Sequence, residues 1–375
     1  MKRLLFFVTV VSVMFSSCAD SELEVKLKEV MADAAVRYAA SADVVEKSRK
    51  AYPCGFSGGE YVLAEGDLAW SAGYYPGCLW LLAQECQNEE LKEYADVLTY
   101  RYVQPESLSM YGVATVVNVA HNNGFNATKN PRYENSVGTV ARLMPDINFD
   151  AYHTVAKQEG DLDSYQRVSV DCLPAIGCFY NYGWKTNMIN HGKELIKHLS
   201  REDGAMCEGA ILQCLSKNYV DRFAIYGLGK ESAWARGQAW ALYGFTMLYR
   251  QTKEPEFLAQ SKKLADFIIK NLPEDGVPNW DFDAEQQQKD SSAAAIMASA
   301  FVELYDLTGD KSYLQVAELQ LATLSSEEYL AKADECGGML LKHGVDNLPQ
   351  GRLVDASLAY GDYYFIEAII RYLNR

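Results

Sequence analysis

The stretch DSSAAAIMASAFVELYDLTG, residues 290–309, decides the fold. Its polar head, KDSS (289–292), reads as an N-cap before an alanine-rich helix. Beyond the cap, apolar residues recur at three- and four-residue intervals, the spacing of a helix face. The same spacing returns in ALYGFTMLYRQT (241–252), SKKLADFIIKNL (261–272) and YYFIEAIIRYL (363–373). Stretches of alternating β-branched residues are few, so the chain reads as all-α.

A rhythm runs through it. Aromatic or small-residue helix starts recur at WSAGYYPGCLW (from 70), MYGVATVVNVAHNNGF (from 110), VDCLPAIGCFYNYGW (from 170), WARGQAWALYGF (from 234), DSSAAAIMASAFVEL (from 290) and YGDYYFIEAII (from 360). They lie about 40 to 70 residues apart, the length of a helical hairpin plus a loop. Such units predict a closed ring of six hairpins, an α/α barrel, with Gly and Ala where the inner helices crowd. The loops at one end then form a cleft. With 25 Tyr and 6 Trp, the chain has aromatic rings to spare for loops such as NWDFDAEQQQKDSS (279–292), where a flat face suits the C–H face of a sugar.

The 375 residues carry no Pro/Gly/Ser-rich linker after Glu22, which predicts one domain over 23–375. The beginning, MKRLLFFVTVVSVMFSSC, has a Lys2-Arg3 start, an apolar run from Leu4 to Phe15 and small residues before Cys18. It reads as a signal peptide over 1–17, with FSSC as a lipobox that makes Cys18 the lipidated first residue. The expected location is therefore the periplasm or outer membrane, with contact to the membrane only through that anchor. The net charge of −15 becomes −17 without the leader, because the leader carries Lys2 and Arg3 and no acid. Such a surface repels nucleic acid and anionic membranes. An anionic ligand then needs a local cluster of donors.

Apart from Cys18, eight of the nine cysteines are scattered and form no C-x-x-C, so they read mostly as small core residues. The five histidines share no metal-like spacing, and His191 and His198 read as a solvated helix face. No P-loop, G-x-S-x-G or H-E-x-x-H is present. Neither metal nor cofactor is expected.

Five places carry chemistry. In SAWARGQAWALYGF (232–245), Arg236 lies between Trp234 and Trp240 at a helix start. A guanidinium there suits two-point capture of a carboxylate, with Trp234 as a stacking wall; a structural arginine tied to a carbonyl or acid fits equally well. In YQRVSVDCLPAI (165–176), Asp171 sits in an apolar run, where burial favours the protonated form a general acid needs; a helix cap or a partner of Arg167 is the alternative. DGAMCEG (203–209) offers Glu208 as a second carboxylate or a solvated acid. VAHNNGF (119–125) puts His121 and Asn122 in a polar cluster after an apolar run, and Asp362 in YGDYYF is a ligand contact or a cap.

Taken in order, WSAGYYPGCLW, HNNGF, VDCLPAI, ESAWARGQAWALYGF, DSSAAAI and YGDYYFIEAI resemble the motifs of glycoside hydrolase family 88, the unsaturated glucuronyl hydrolases. The resemblance covers nearly all of the chain after the leader and implies a six-hairpin α/α barrel. It also implies removal of a 4,5-unsaturated uronic acid from lyase-made acidic oligosaccharides. In that chemistry an aspartic acid protonates C4 of the enol ether, water adds at C5, and the hemiketal collapses. Asp171 matches the acid/base position, and Trp70, His121, Tyr226, Trp234, Arg236 and Gln238 fall in the substrate-contacting blocks. Three positions depart from the pattern. Asn122 stands where an aspartate is usual, Glu208 near a usual histidine, and Tyr226 at a usual glutamine. The expectation is a catalytic group of Asp171, Asn122 and Glu208, with Glu208 restoring a carboxylate to the cleft. A silent sugar-binding protein of the same fold, or a hydrolase with altered acidic-sugar specificity, is the alternative.

Overall fold

The computed structural model describes residues 20–101, 110–143, 153–155, 165–213, 216, 218–285 and 288–375. The leader, Cys18 and Cys214 lie outside them. In chain order the helices are α1 (Glu22–Ser48), α2 (Tyr74–Glu85), α3 (Glu89–Arg101), α4 (Met110–Val116), α5 (Asn123–Thr128), α6 (Pro131–Leu143), α7 (Lys185–Leu199), α8 (Ala235–Thr252), α9 (Pro255–Asn271), α10 (Ser291–Thr308), α11 (Lys311–Leu324) and α12 (Ala359–Leu373). A π-helical stretch, Val117–Asn122, joins α4 to α5, and 3-10 turns cover Val170–Cys172 and Pro174–Tyr182.

The pattern of burial sorts these into two layers. α10 is buried without a break from Ser291 to Leu304, and α8 from Ala235 to Leu248. A helix buried all round belongs inside. In α9 and α11 the buried residues follow one stripe, such as Phe257, Gln260, Ser261, Leu264 and Ile268, which marks an outer layer. The inner ring runs α2, the α4–π–α5 segment, the 3-10 turns, α8, α10, α12 and back to α2. Each inner element packs on an outer helix; for α12 that helix is α1, joined to it by Tyr38 Oη donating to Asp362 Oδ2 at 2.8 Å. The six recurring helix starts in the sequence are the six inner elements.

Caps fix where the helices begin. Ser21 and Glu24 form a reciprocal capping box on α1, and Asp290 caps α10 by accepting from the Ser292 and Ala293 amides. A missing side chain sets one inner contact. A Cβ on Gly244 of α8 would lie 2.3 Å from Leu173 Cβ, so glycine lets the turn that follows Asp171 rest on α8.

Two antiparallel sheets stand at the end of the ring where the inner helices start. One has the order β2-β1-β8-β7, from β1 (Pro53–Ser57), β2 (Glu60–Leu63), β7 (Gly344–Asn347) and β8 (Arg352–Leu358). The other has the order β3-β4-β5-β6, from β3 (His153–Val155), β4 (Tyr165–Ser169), β5 (Gly209–Gln213) and β6 (Tyr219–Phe223). They qualify the all-α expectation: strands of three to seven residues are too short to show an alternating pattern.

His191 and His198 correct another expectation. Both are buried, His191 completely. Met188, His191, Leu195 and Leu199 form the inward stripe of α7, so the histidines sit on or beside its core face. Among the described residues seven cysteines are free thiols, five of them buried, as small core residues. No described helix is long and apolar enough to cross a membrane.

Candidate active site

β4 delivers Asp171. The strand ends at Ser169 and the chain turns at once into the 3-10 segment Val170–Cys172, pinned by the Val170 amide donating to the Glu208 carbonyl at 3.1 Å. The Ser169 hydroxyl donates to Asp171 Oδ1, and Cys172 Sγ approaches the same oxygen at 3.6 Å. Asp171 is half-buried. Its charge is felt by Tyr74, Tyr226 and Glu208, which places these three around it.

The starts of four inner helices converge beside it. Trp70, just before α2, lies against Tyr360 of α12 with ring centroids 5.4 Å apart. Tyr74 meets Tyr360 edge-on at 5.9 Å. Arg236, on the first turn of α8, donates to the Val345 carbonyl and, at 2.7 Å, to the Asp346 carbonyl. Its guanidinium also lies 3.7 Å from Asp290, the cap of α10. Trp234 covers it, 4.7 Å from guanidinium carbon to ring centroid, and Tyr226 stacks on Trp234 at 5.0 Å and 16°. A Cβ on Gly237 would lie 2.7 Å from the Trp234 ring, so glycine is what lets that ring lie flat on the helix.

Asp171, Tyr226 and Trp70 are thus brought to one mouth, half-buried and open to a ligand. Asn122 stands on the neighbouring inner element, half-buried at the end of the π stretch. Asn118, one π turn earlier, donates to the Pro174 carbonyl at 2.9 Å and ties that stretch to the Asp171 segment. π-helical turns recur at functional sites because they re-aim side chains.

Five expected roles need correction. Arg236 is 1% exposed with both terminal nitrogens on carbonyls, so it is the structural arginine and does not clamp a substrate carboxylate. Burial works against its charge, but Tyr360, Asp290 and Asp346 outweigh that and hold the guanidinium charged. Trp234 is 2% exposed, because Tyr226 occupies the face a sugar would need. Gln238 is buried too: its Nε2 donates to the Met206 and Trp234 carbonyls and its Oε1 accepts from the Met206 amide. Glu208 is no free acid of the cleft. Oε1 accepts from the Ile225 amide at 2.9 Å and Oε2 from the Tyr226 and Gly227 amides at 3.0 Å. Burial pushes it up to about 7, the three amides pull it down, and Asp171 adds to the rise.

His121 is the fifth. It turns away from the mouth, edge-on to Tyr100 of α3 and Tyr133 of α6, in the seam between the layers. Burial, helped by the nearby Arg132 cation, lowers it to about 4, so it is a neutral core ring. Asp362 is also structural, accepting from Tyr38 and from the Leu340 and Leu341 amides.

Sequence reasoning missed Ser169, Asp281 and Arg352. Ser169 had one signal, its position two residues before Asp171. Asp281 was hidden in an aromatic loop; it accepts from the Leu228 amide at 2.9 Å and from Ser232 Oγ at 2.6 Å. Arg352 donates from Nε to Asp346 Oδ2 at 2.6 Å and keeps part of its guanidinium exposed, with only a loose 3.6 Å contact to the well-exposed Asp67. Among the described residues, no group of three or more His, Cys, Asp or Glu is arranged to hold a metal ion.

No protein-family model matches the chain. Individual proteins do. An unsaturated glucuronyl hydrolase of Formosa agariphila is 31% identical over 320 residues, 81% of this chain and 80% of that protein. The chain belongs to the unsaturated glucuronyl hydrolase family. An unsaturated chondroitin disaccharide hydrolase of Streptococcus pyogenes serotype M1 is 27% identical over 323 residues, 81% of each chain. Among solved structures, an unsaturated glucuronyl hydrolase specific for heparin superposes with a TM-score of 0.85 at 28% identity, over 94% of this chain and 98% of that one. The unsaturated glucuronyl hydrolase of Bacillus sp. GL1 shares the fold, with a TM-score of 0.81 at 22% identity over 92% and 96%. Within this family the α/α barrel is the shared frame.

Proposed function

We propose that the protein removes a 4,5-unsaturated uronic acid from the non-reducing end of lyase-made oligosaccharides by hydrating the double bond. The observation that carries this reading is Asp171. It is a half-buried carboxylic acid held by a neighbouring hydroxyl at a mouth of aromatic rings, in a member of a hydrolase family. Asp171 gives its proton to C4 of the enol ether, which leaves positive character at C5. The carboxylate then takes a proton from water as the water oxygen bonds to C5. Water has been added, Asp171 is regenerated, and collapse of the hemiketal breaks the glycosidic bond.

The mouth suits an anionic sugar although the molecule is acidic. The starts of α2, α8, α10 and α12 converge there, and helix N-termini favour negative charge. Arg352 is the cation placed to meet a carboxylate, the role that Arg236 cannot fill. Asn122 carries no proton, so one carboxylate serves as both acid and base; the amide holds a sugar hydroxyl by donating or accepting. Export as a lipoprotein anchored through Cys18 is part of this proposal and fits polysaccharide fragments met outside the cytoplasm.

The test is loss of the ultraviolet absorbance of the C4=C5 bond when purified protein meets unsaturated chondroitin and heparin disaccharides. Decay on any of them supports hydration. Saturable binding without decay favours the second reading, a sugar-binding protein, for which the amide at Asn122 is the motive.

A further inference from the structure

Four consecutive backbone amides, 225 to 228, point at buried carboxylates. Those of Ile225, Tyr226 and Gly227 donate to Glu208, and that of Leu228 donates to Asp281. Both acids are buried, at 2% and 0% exposure. Asp281 also holds Ser232, and Asp283 accepts from the Ala233 amide at 2.9 Å. The loop that carries Tyr226 and leads to Trp234 is therefore braced from both sides along most of its length. A bend with consecutive amides turned inward is an anion receptor; here the chain's own carboxylates fill it.

What the brace fixes is one ring. Tyr226 lies parallel on Trp234, and Trp234 lies flat on the first turn of α8 above Arg236. Tyr226 is half-buried where Trp234 is almost wholly covered. Its phenol is pushed up by burial and then by the charge of Asp171, so a neutral ring borders the acid.

We infer that Tyr226 is the sugar-facing wall of this site, in place of Trp234, and that Glu208 and Asp281 are positioning residues that hold it there. This rests on the uronic-acid reading of the mouth. The stack Tyr226–Trp234–Arg236 presents a flat apolar face for the C–H face of a pyranose, with a phenol at its edge for a hydroxyl. Glu208 acts through the loop and touches no substrate. A glutamine at 208 would turn one donor group against inward amides, so it loosens the brace while keeping the shape.

The experiment is steady-state kinetics on unsaturated chondroitin disaccharide, with calorimetric binding of the same sugar. Tyr226→Ala is expected to raise KM about tenfold, with a smaller fall in kcat. Tyr226→Phe and Tyr226→Leu, which keep a ring and bulk respectively, should fall between it and the wild type in that order. Glu208→Gln should raise KM roughly fivefold. In the Tyr226→Ala background it should add less than about twofold, because the ring it positions is gone. Unchanged KM in Tyr226→Ala would overturn the inference. So would a fall in kcat on the order of a hundredfold in Glu208→Gln at unchanged KM, which would make Glu208 a proton carrier. If the wild type binds the disaccharide without turning it over, hydration fails but the wall does not, and the same pattern is expected in the dissociation constants. Absence of both turnover and binding overturns the wall together with the uronic-acid reading.

Discussion

The two ends of the barrel use carboxylates differently. In the lower half, Glu303 of α10 is held by Arg250 of α8 at 2.9 Å and by Arg371 of α12. Glu367 lies 3.4 Å from Arg371 and accepts from Ser299 and Tyr243. These acids tie helix to helix. At the mouth, Glu208, Asp281, Asp290 and Asp362 accept backbone amides of loops and strands. They tie loops to helix starts. Asp171 differs from both sets: a hydroxyl holds it and it stays half-buried. A buried acid is thus no marker of catalysis here. What distinguishes the catalytic candidate is that it is partly open beside aromatic rings.

Substitutions at each end separate the two uses. Glu303→Ala removes the acid that joins Arg250 to the half-buried Arg371, which keeps Glu367, and should cost about 1 to 2 kcal/mol in urea unfolding while leaving KM near the wild-type value. Loss of binding with unchanged stability would break the contrast. Arg352→Ala should instead raise KM about tenfold, since a charge-assisted bond to the substrate is lost, and should also lower the unfolding midpoint, because the buried Asp346 loses its guanidinium partner. Ser169→Ala removes the hydroxyl from Asp171 Oδ1 and should lower kcat several-fold, on the scale of about 1 kcal/mol, with KM less affected. Equal changes in both constants would show that the serine holds the loop and not the acid.

The smallest effect is a pH dependence. Glu208 has a folded value raised to about 7, so its stabilising contribution is complete below the ordinary carboxylate range and lost as pH rises through about 7. Asp362, raised to about 6 by burial, has the same sign. His121, lowered to about 4, has the opposite sign and loses its contribution as pH falls from its ordinary range toward 4. A difference measurement removes the other two. The stability of the wild type relative to Glu208→Gln should be greater at pH 5 than at pH 8, read from unfolding midpoints. A gap independent of pH would show that burial does not set the protonation of Glu208.

The ring was legible because each inner helix opens on a distinctive cluster, and because helical spacing survives in long segments such as 290–309. The sheets were not, since three- to seven-residue strands leave no periodic trace. Asp171 was found from its apolar setting and from the family pattern. Arg236 and Trp234 stood out for the same reasons, yet both are covered, because spacing alone does not show that the loop just upstream folds Tyr226 back on top of Trp234. Glu208 looked like a spare acid, and only the direction of the 225–228 amides shows its use. His191 was misread although it falls three residues after Met188 and four before Leu195, a core stripe hidden by its polarity.

Hydration of the double bond is proposed to run through Asp171 alone, with an amide at 122. Its most direct test is the decay of C4=C5 absorbance on an unsaturated disaccharide, for wild type and Asp171→Asn at matched melting temperature. The wild type should show decay, and the variant a loss of about a thousandfold or more. Decay that persists in Asp171→Asn would contradict it.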